Sequence, residues 1–62
     1  MSYDVFVLGK PMGTVSKRGS RWRWDRDGFG CLALKRTLGD MVEWIAAREE
    51  VLAGDIEFRR RA

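Results

Sequence analysis

The sequence predicts an α+β domain: an antiparallel three- to four-stranded β-meander followed by one C-terminal amphipathic α-helix packed on one sheet face. Three observations carry that prediction. Turn-forming pairs punctuate the first half of the chain, the segments between them hold β-branched and aromatic residues, and after Thr37 the apolar spacing changes to that of a helix.

Tyr3-Asp4-Val5-Phe6-Val7-Leu8 reads as the first strand, and Gly9-Lys10-Pro11-Met12-Gly13 breaks it with Gly and Pro punctuation. Thr14 to Arg18 is a short second strand. Gly19-Ser20 closes a tight hairpin, because Gly accepts positive φ without steric cost. Arg21-Trp22-Arg23-Trp24-Asp25-Arg26 alternates strictly, with Trp22 and Trp24 on one face and Arg21 and Arg23 on the other. Asp27-Gly28 is a further hairpin signal, and Phe29 to Lys35 supplies a fourth apolar run.

Thr37 opens the helix as an N-cap, with Asp40 three residues on in a near capping box. Met41, Trp44, Ile45, Val51 and Leu52 fall on one stripe, along which the stem of Arg48 can lie. Asp40, Glu43, Ala47 and Glu50 face the other way, and Gly54 is the stop signal. The expected organisation is a single ββββα domain over 1–54 and a basic tail over 55–62, either a short strand or a frayed end.

A chain of 62 residues supports one core. It buries only roughly 60% of the surface its unfolded form exposes, so its stability should be marginal. That need for buried area assigns Trp22 and Trp24 to the core beneath the helix rather than to base stacking.

Cys31 is the only cysteine and histidine is absent, which excludes an internal disulfide, a cysteine-rich metal cage and the commonest general base. Ser16 and Ser20 have no histidine to activate them, Asp25 and Asp27 flank a turn, and Gly9-x-x-x-Gly13 lacks a phosphate-loop ending. No catalytic residue, metal ligand or cofactor site emerges, and the chain reads as a binding protein, not an enzyme. No apolar run reaches the roughly 18 residues of a membrane span, and no signal-peptide layout is present, so a cytoplasmic location is expected.

Charge is split along the chain. Residues 10–36 hold eight Lys/Arg against two Asp, while residues 37–57 hold one Arg against six acids. A polyanion would be drawn to the outer face of the sheet and repelled by the outer face of the helix. Arg18, Arg21 and Arg23, with Lys17 and Arg26, are the candidate phosphate and base-edge contacts, since Arg pairs bidentately with phosphate or guanine. Arg59 to Arg61 is either a further phosphate-binding arm or a solubilising terminus.

Gly13-Thr14-Val15-Ser16-Lys17-Arg18-Gly19-Ser20-Arg21-Trp22-Arg23-Trp24, then Asp27-Gly28, then Thr37 to Ile45 ending in Glu43-Trp44-Ile45, resembles the arm-type DNA-binding domain at the amino terminus of phage tyrosine integrases. The resemblance covers about residues 13–52. It implies a three-stranded sheet entering the major groove of DNA with a helix packed behind. The pattern is preceded by an extra strand and accompanied by neither a core-binding nor a catalytic domain. It therefore implies a free-standing phage or mobile-element accessory or regulatory protein that binds DNA without recombining it.

The alternative reading is a protein-interaction or inhibitory module that engages a host protein through the acidic helix face (Asp40, Glu43, Glu50) or through strand edges. A homodimer that pairs strands or helices is a third expectation.

Overall fold

The computed structural model describes residues 1–61, and Ala62 lies outside the described residues. The strands are β1 (Ser2–Val7), β2 (Lys10–Arg18), β3 (Arg21–Arg26) and β4 (Gly30–Lys35), then helix α1 (Leu38–Glu49), a 3-10 turn (Ala53–Asp55) and β5 (Ile56–Arg60). They form one five-stranded antiparallel sheet in the order β4-β3-β2-β1-β5. The helix is therefore not C-terminal. The segment left open as strand or frayed end is a strand, paired with β1 from Tyr3↔Arg60 to Val7↔Ile56.

Strand pairing sorts the side chains onto two faces. Tyr3, Val15, Trp24 and Ala33 form one row across four strands, and Val5 faces both Gly13 and Phe58. This face meets the helix. Val5, Val7, Val15, Trp22, Trp24, Met41 and Ile45 are buried, with Trp24 wholly enclosed. The tryptophans are thus core residues, as the alternation of β3 requires. Tyr3 and Phe58 extend the aromatic layer, their ring centres 6.0 Å apart. Among the described residues no helix covers the opposite, open face.

The first connection is tighter than the Gly-Pro-Gly punctuation suggests. Leu8 (φ 52°) and Gly9 (φ 81°) turn the chain alone, with positive φ at both positions as in a type I′ hairpin turn. Leu8 leaves the first strand for this turn, and β2 begins at once with Lys10. Pro11 is tolerated because the register slips between Val5 and Phe6, leaving Met12 as the extra residue of a bulge. Gly13, just beyond it, must lack a side chain. A Cβ there would sit 2.2 Å from the Asp25 carbonyl oxygen and 3.0 Å from the Trp24 ring.

Thr37 caps the helix as expected, its Oγ1 accepting from the Asp40 N–H at 3.0 Å. The helix stops earlier than Gly54, however. Glu50 takes the left-handed conformation (φ 58°, ψ 45°) and its N–H donates to the Ala46 carbonyl. Val51 and Leu52 therefore lie beyond the stripe: Val51 still packs on the core, whereas Leu52 is exposed. The cause is tertiary, since β5 can reach β1 only if the chain reverses here. Asp55 fastens that reversal, accepting from the Leu52 N–H at its carboxylate (3.1 Å) and from the Leu8 N–H at its carbonyl (2.9 Å).

Candidate nucleic-acid interface

The open face is built from alternate residues of all five strands. Ser2, Ser16, Arg23 and Leu34 form one row, Asp4, Thr14, Asp25 and Cys31 the next, and Arg18 faces Arg21 at the β2–β3 hairpin end. On β5, Arg59 lies opposite Asp4 and Glu57 opposite Phe6. This face carries arginines from both halves of the chain, but they stand in different electrostatic settings.

Most of these arginines have a carboxylate. Arg23 Nε donates to Asp25 Oδ1 at 2.9 Å along its own strand. Arg61 Nε lies 3.1 Å from Asp4 Oδ1. Arg59 holds Glu57 through two bonds of 3.0 and 3.1 Å, and its guanidinium lies 4.0 Å from the centre of the Phe6 ring. That double hydrogen bond from Arg59 holds the Glu57 carboxyl below the usual carboxylate range.

Arg18 and Arg21 differ. They are cross-strand partners flanking Gly19-Ser20, both are exposed, and among the described residues neither forms an ion pair. Like charges placed directly opposite cost roughly 0.2–1 kcal/mol. The hairpin is nevertheless closed by its turn, where Gly19 (φ 62°) takes the left-handed conformation. The result is two exposed cations on directly opposed positions of neighbouring strands, a like-charge pair that a bridging phosphate would relieve.

Two of the five residues proposed from sequence lie elsewhere. Lys17 pairs with Trp22 and so belongs to the helix-side face, where its ammonium sits 5.0 Å from the Trp22 ring centre. Arg26 pairs with Gly13 on that same face; its Nε reaches Glu49 Oε2 at 3.3 Å and ties the end of β3 to the last turn of the helix. Period-two alternation from Trp22 and Trp24 already assigns Arg26 to the tryptophan side, so the signal was available. Arg26 is a tether between sheet and helix.

Lys35 completes the hairpin end. It lies opposite Trp22 at the close of β4, and the exposed Arg36 follows it. Lys17, Arg18, Arg21, Lys35 and Arg36 thus share one end of the sheet, and none of them has a carboxylate partner among the described residues. The last two were not proposed from sequence. Their closeness to the hairpin depends on β4 running back beside β3, which spacing along the chain does not encode.

Asp40, Glu43 and Glu50 are exposed on the helix and likewise form no ion pair among the described residues. No group of residues is arranged to hold a metal ion, and no helix is long and apolar enough to cross a membrane, among the described residues. A shallow pocket of about 190 Å³ lies at the far end of the sheet, lined by Arg26, Phe29, Leu32, Arg48 and Glu49. No family model, curated protein or solved structure matches this chain.

Proposed function

We propose that this protein is a small DNA-binding module that grips the phosphate backbone with the end of the β2–β3 hairpin. One observation carries the reading: Arg18 and Arg21 are direct cross-strand partners and, among the described residues, have no carboxylate partner and no helix over their face of the sheet. Lys17, Lys35 and Arg36 surround them and widen the positive end. Arg23 joins as a secondary contact, exchanging Asp25 for a phosphate or base edge. The β2–β3 hairpin is a two-stranded ribbon at its end, the kind of element that the major groove admits. The acidic helix lies on the other face, away from a bound polyanion.

The resemblance to integrase arm domains implies contacts from a three-stranded sheet with a helix behind it, and this reading shares with it a sheet face turned away from the helix. On this reading the protein is an accessory or regulatory component of a phage or mobile element.

Fluorescence anisotropy with labelled duplex DNA tests the proposal. Affinity should fall steeply between about 50 and 200 mM salt, because each neutralised phosphate releases counterions. Absence of binding at about 50 mM salt would refute it.

A further inference from the structure

The sheet has two edges, and they are guarded differently. β5 presents Glu57, Arg59 and Arg60, with Arg61 directly after it, a charged margin of the kind that keeps edges from pairing. β4 presents Gly30-Cys31-Leu32-Ala33-Leu34 with no charge until Lys35. Its single blunting device is the register slip opposite Trp24 and Asp25, which makes Leu32 the extra residue. Leu32 and Ala33 both pack on the core, so Cys31 and Leu34 remain on the open-face side. Both are exposed, Leu34 to 50%, and Phe29 just before the strand to 66%.

We propose that β4 is a self-association edge, on which a second copy of this chain adds its own β4 in the antiparallel sense. The charges at the two ends choose the partner and its direction. Asp27 stands just ahead of the strand, and Lys35 and Arg36 close it. An antiparallel copy centred between Leu32 and Ala33 sets Leu34 against Cys31 and lays Arg36 beside Phe29, which leaves its cationic end two residues from Asp27. A parallel copy would align Lys35 and Arg36 with their own counterparts. The contact is isologous, so one two-fold axis perpendicular to the sheet closes it.

The pairing yields a continuous ten-stranded sheet with both open faces on the same side. With strands about 4.8 Å apart and a rise of about 3.3 Å per residue, the two Arg18/Arg21 hairpin ends lie roughly 30–35 Å from each other. That is close to one helical turn of duplex DNA, the spacing at which dimeric readers meet successive half-sites. This last step rests on the DNA-binding reading above; the dimer itself does not.

Sedimentation equilibrium of the full chain, reduced and free of nucleic acid, tests the dimer. Between about 10 µM and about 1 mM the mass should rise from 7.2 kDa toward twice that value. Leu34→Lys should weaken the dimer at least about tenfold by setting an ammonium beside the edge, and Leu52→Lys, exposed on the turn after the helix, should not. Leu34→Cys supplies a readout that does not depend on losing anything. Its new thiol lies opposite the partner's Cys31, so mild oxidation should give a covalent dimer joined by two bridges.

A wild-type mass of 7.2 kDa at every concentration overturns the proposal, as does an oxidised Leu34→Cys protein that remains monomeric. The two readings separate cleanly. A dimer indifferent to duplex DNA keeps this inference and removes the DNA-binding one, and a monomer that binds duplex DNA does the reverse.

Discussion

The β2–β3 hairpin end and strand β5 are both rich in arginine and both reach the open face, yet on that face their arginines are matched differently; Arg60, opposite Tyr3, stands on the helix-side face and outside the comparison. On β5 and the residue after it, Arg59 and Arg61 are matched by Glu57 and Asp4, within 3.0–3.1 Å. At the hairpin, Arg18 and Arg21 face each other. Matched charges lend an exposed strand modest stability, on the order of 0–1 kcal/mol per pair, and leave little field behind. Opposed charges cost stability and project a field. Arginine content alone would rate the two regions alike; pairing separates a solubilising strand from a candidate contact.

The largest expected effect removes the frame that both regions share. Gly13 joins β1 to β3, and Gly13→Ala drives a methyl group into the Asp25 carbonyl and the Trp24 ring. A loss of roughly 2–3 kcal/mol is expected, visible as a large fall in Tm in a domain this small.

Next comes the hairpin itself. Arg18→Glu turns the like-charge pair into a cross-strand ion pair, so the protein should gain a few tenths of a kcal/mol in stability while losing about tenfold or more in DNA affinity at low salt. Opposite signs for stability and binding would be hard to produce at a purely structural position. Denaturant titration and anisotropy on one preparation measure both.

Asp4→Asn sharpens the comparison from the other side. It frees Arg61 from its carboxylate and adds positive potential to the open face. DNA affinity should rise by about two- to threefold at low salt and stay unchanged at high salt, as screening requires.

The smallest effect concerns acid titration. Glu57 has its pKa lowered chiefly by the hydrogen bond from Arg59. A carboxylate whose folded pKa is depressed adds stability at pH values above its unfolded pKa, and loses that contribution as pH falls through the folded pKa. Arg59→Ala should therefore return the Glu57 titration, followed by NMR, upward to the ordinary carboxylate range. Both side chains are exposed on the edge strand and screened by water, so overall acid stability should barely change.

Much of this architecture could be read from the residues. Strict alternation in β3 identified the buried tryptophans, and Thr37 with Asp40 marked the helix start, because both signals are local. The helix end could not be read in that way. Glu50 takes a conformation that favours glycine, for a tertiary reason: β5 must return to β1. Leu8 in the first turn is a second case in which a position favouring Gly or Asn is filled by another residue. β5 itself, with only Ile56 and Phe58 as apolar alternates, has too short a pattern to declare itself before its partner is known. In the candidate site, Arg18, Arg21 and Arg23 followed from alternation. The Arg23–Asp25 ion pair runs along a single strand, between residues that the same alternation places on one face, whereas the contact of Arg26 with Glu49 required the packing of the helix on the sheet and the arrival of Lys35 beside the hairpin required strand order.

The central claim is that the unmatched arginines at the hairpin end carry the contact with DNA. It is tested most directly by the salt dependence of duplex binding for the wild type and for Arg18→Ala/Arg21→Ala. A steep decline of log Kobs with log salt is expected for the wild type, and each lost phosphate contact should flatten the slope by about 0.9. The double variant should therefore show a slope shallower by roughly 1–2 and a proportionate loss of affinity, while remaining folded by circular dichroism. An unchanged slope in a folded double variant would contradict the account and move the contact, if there is one, to another surface.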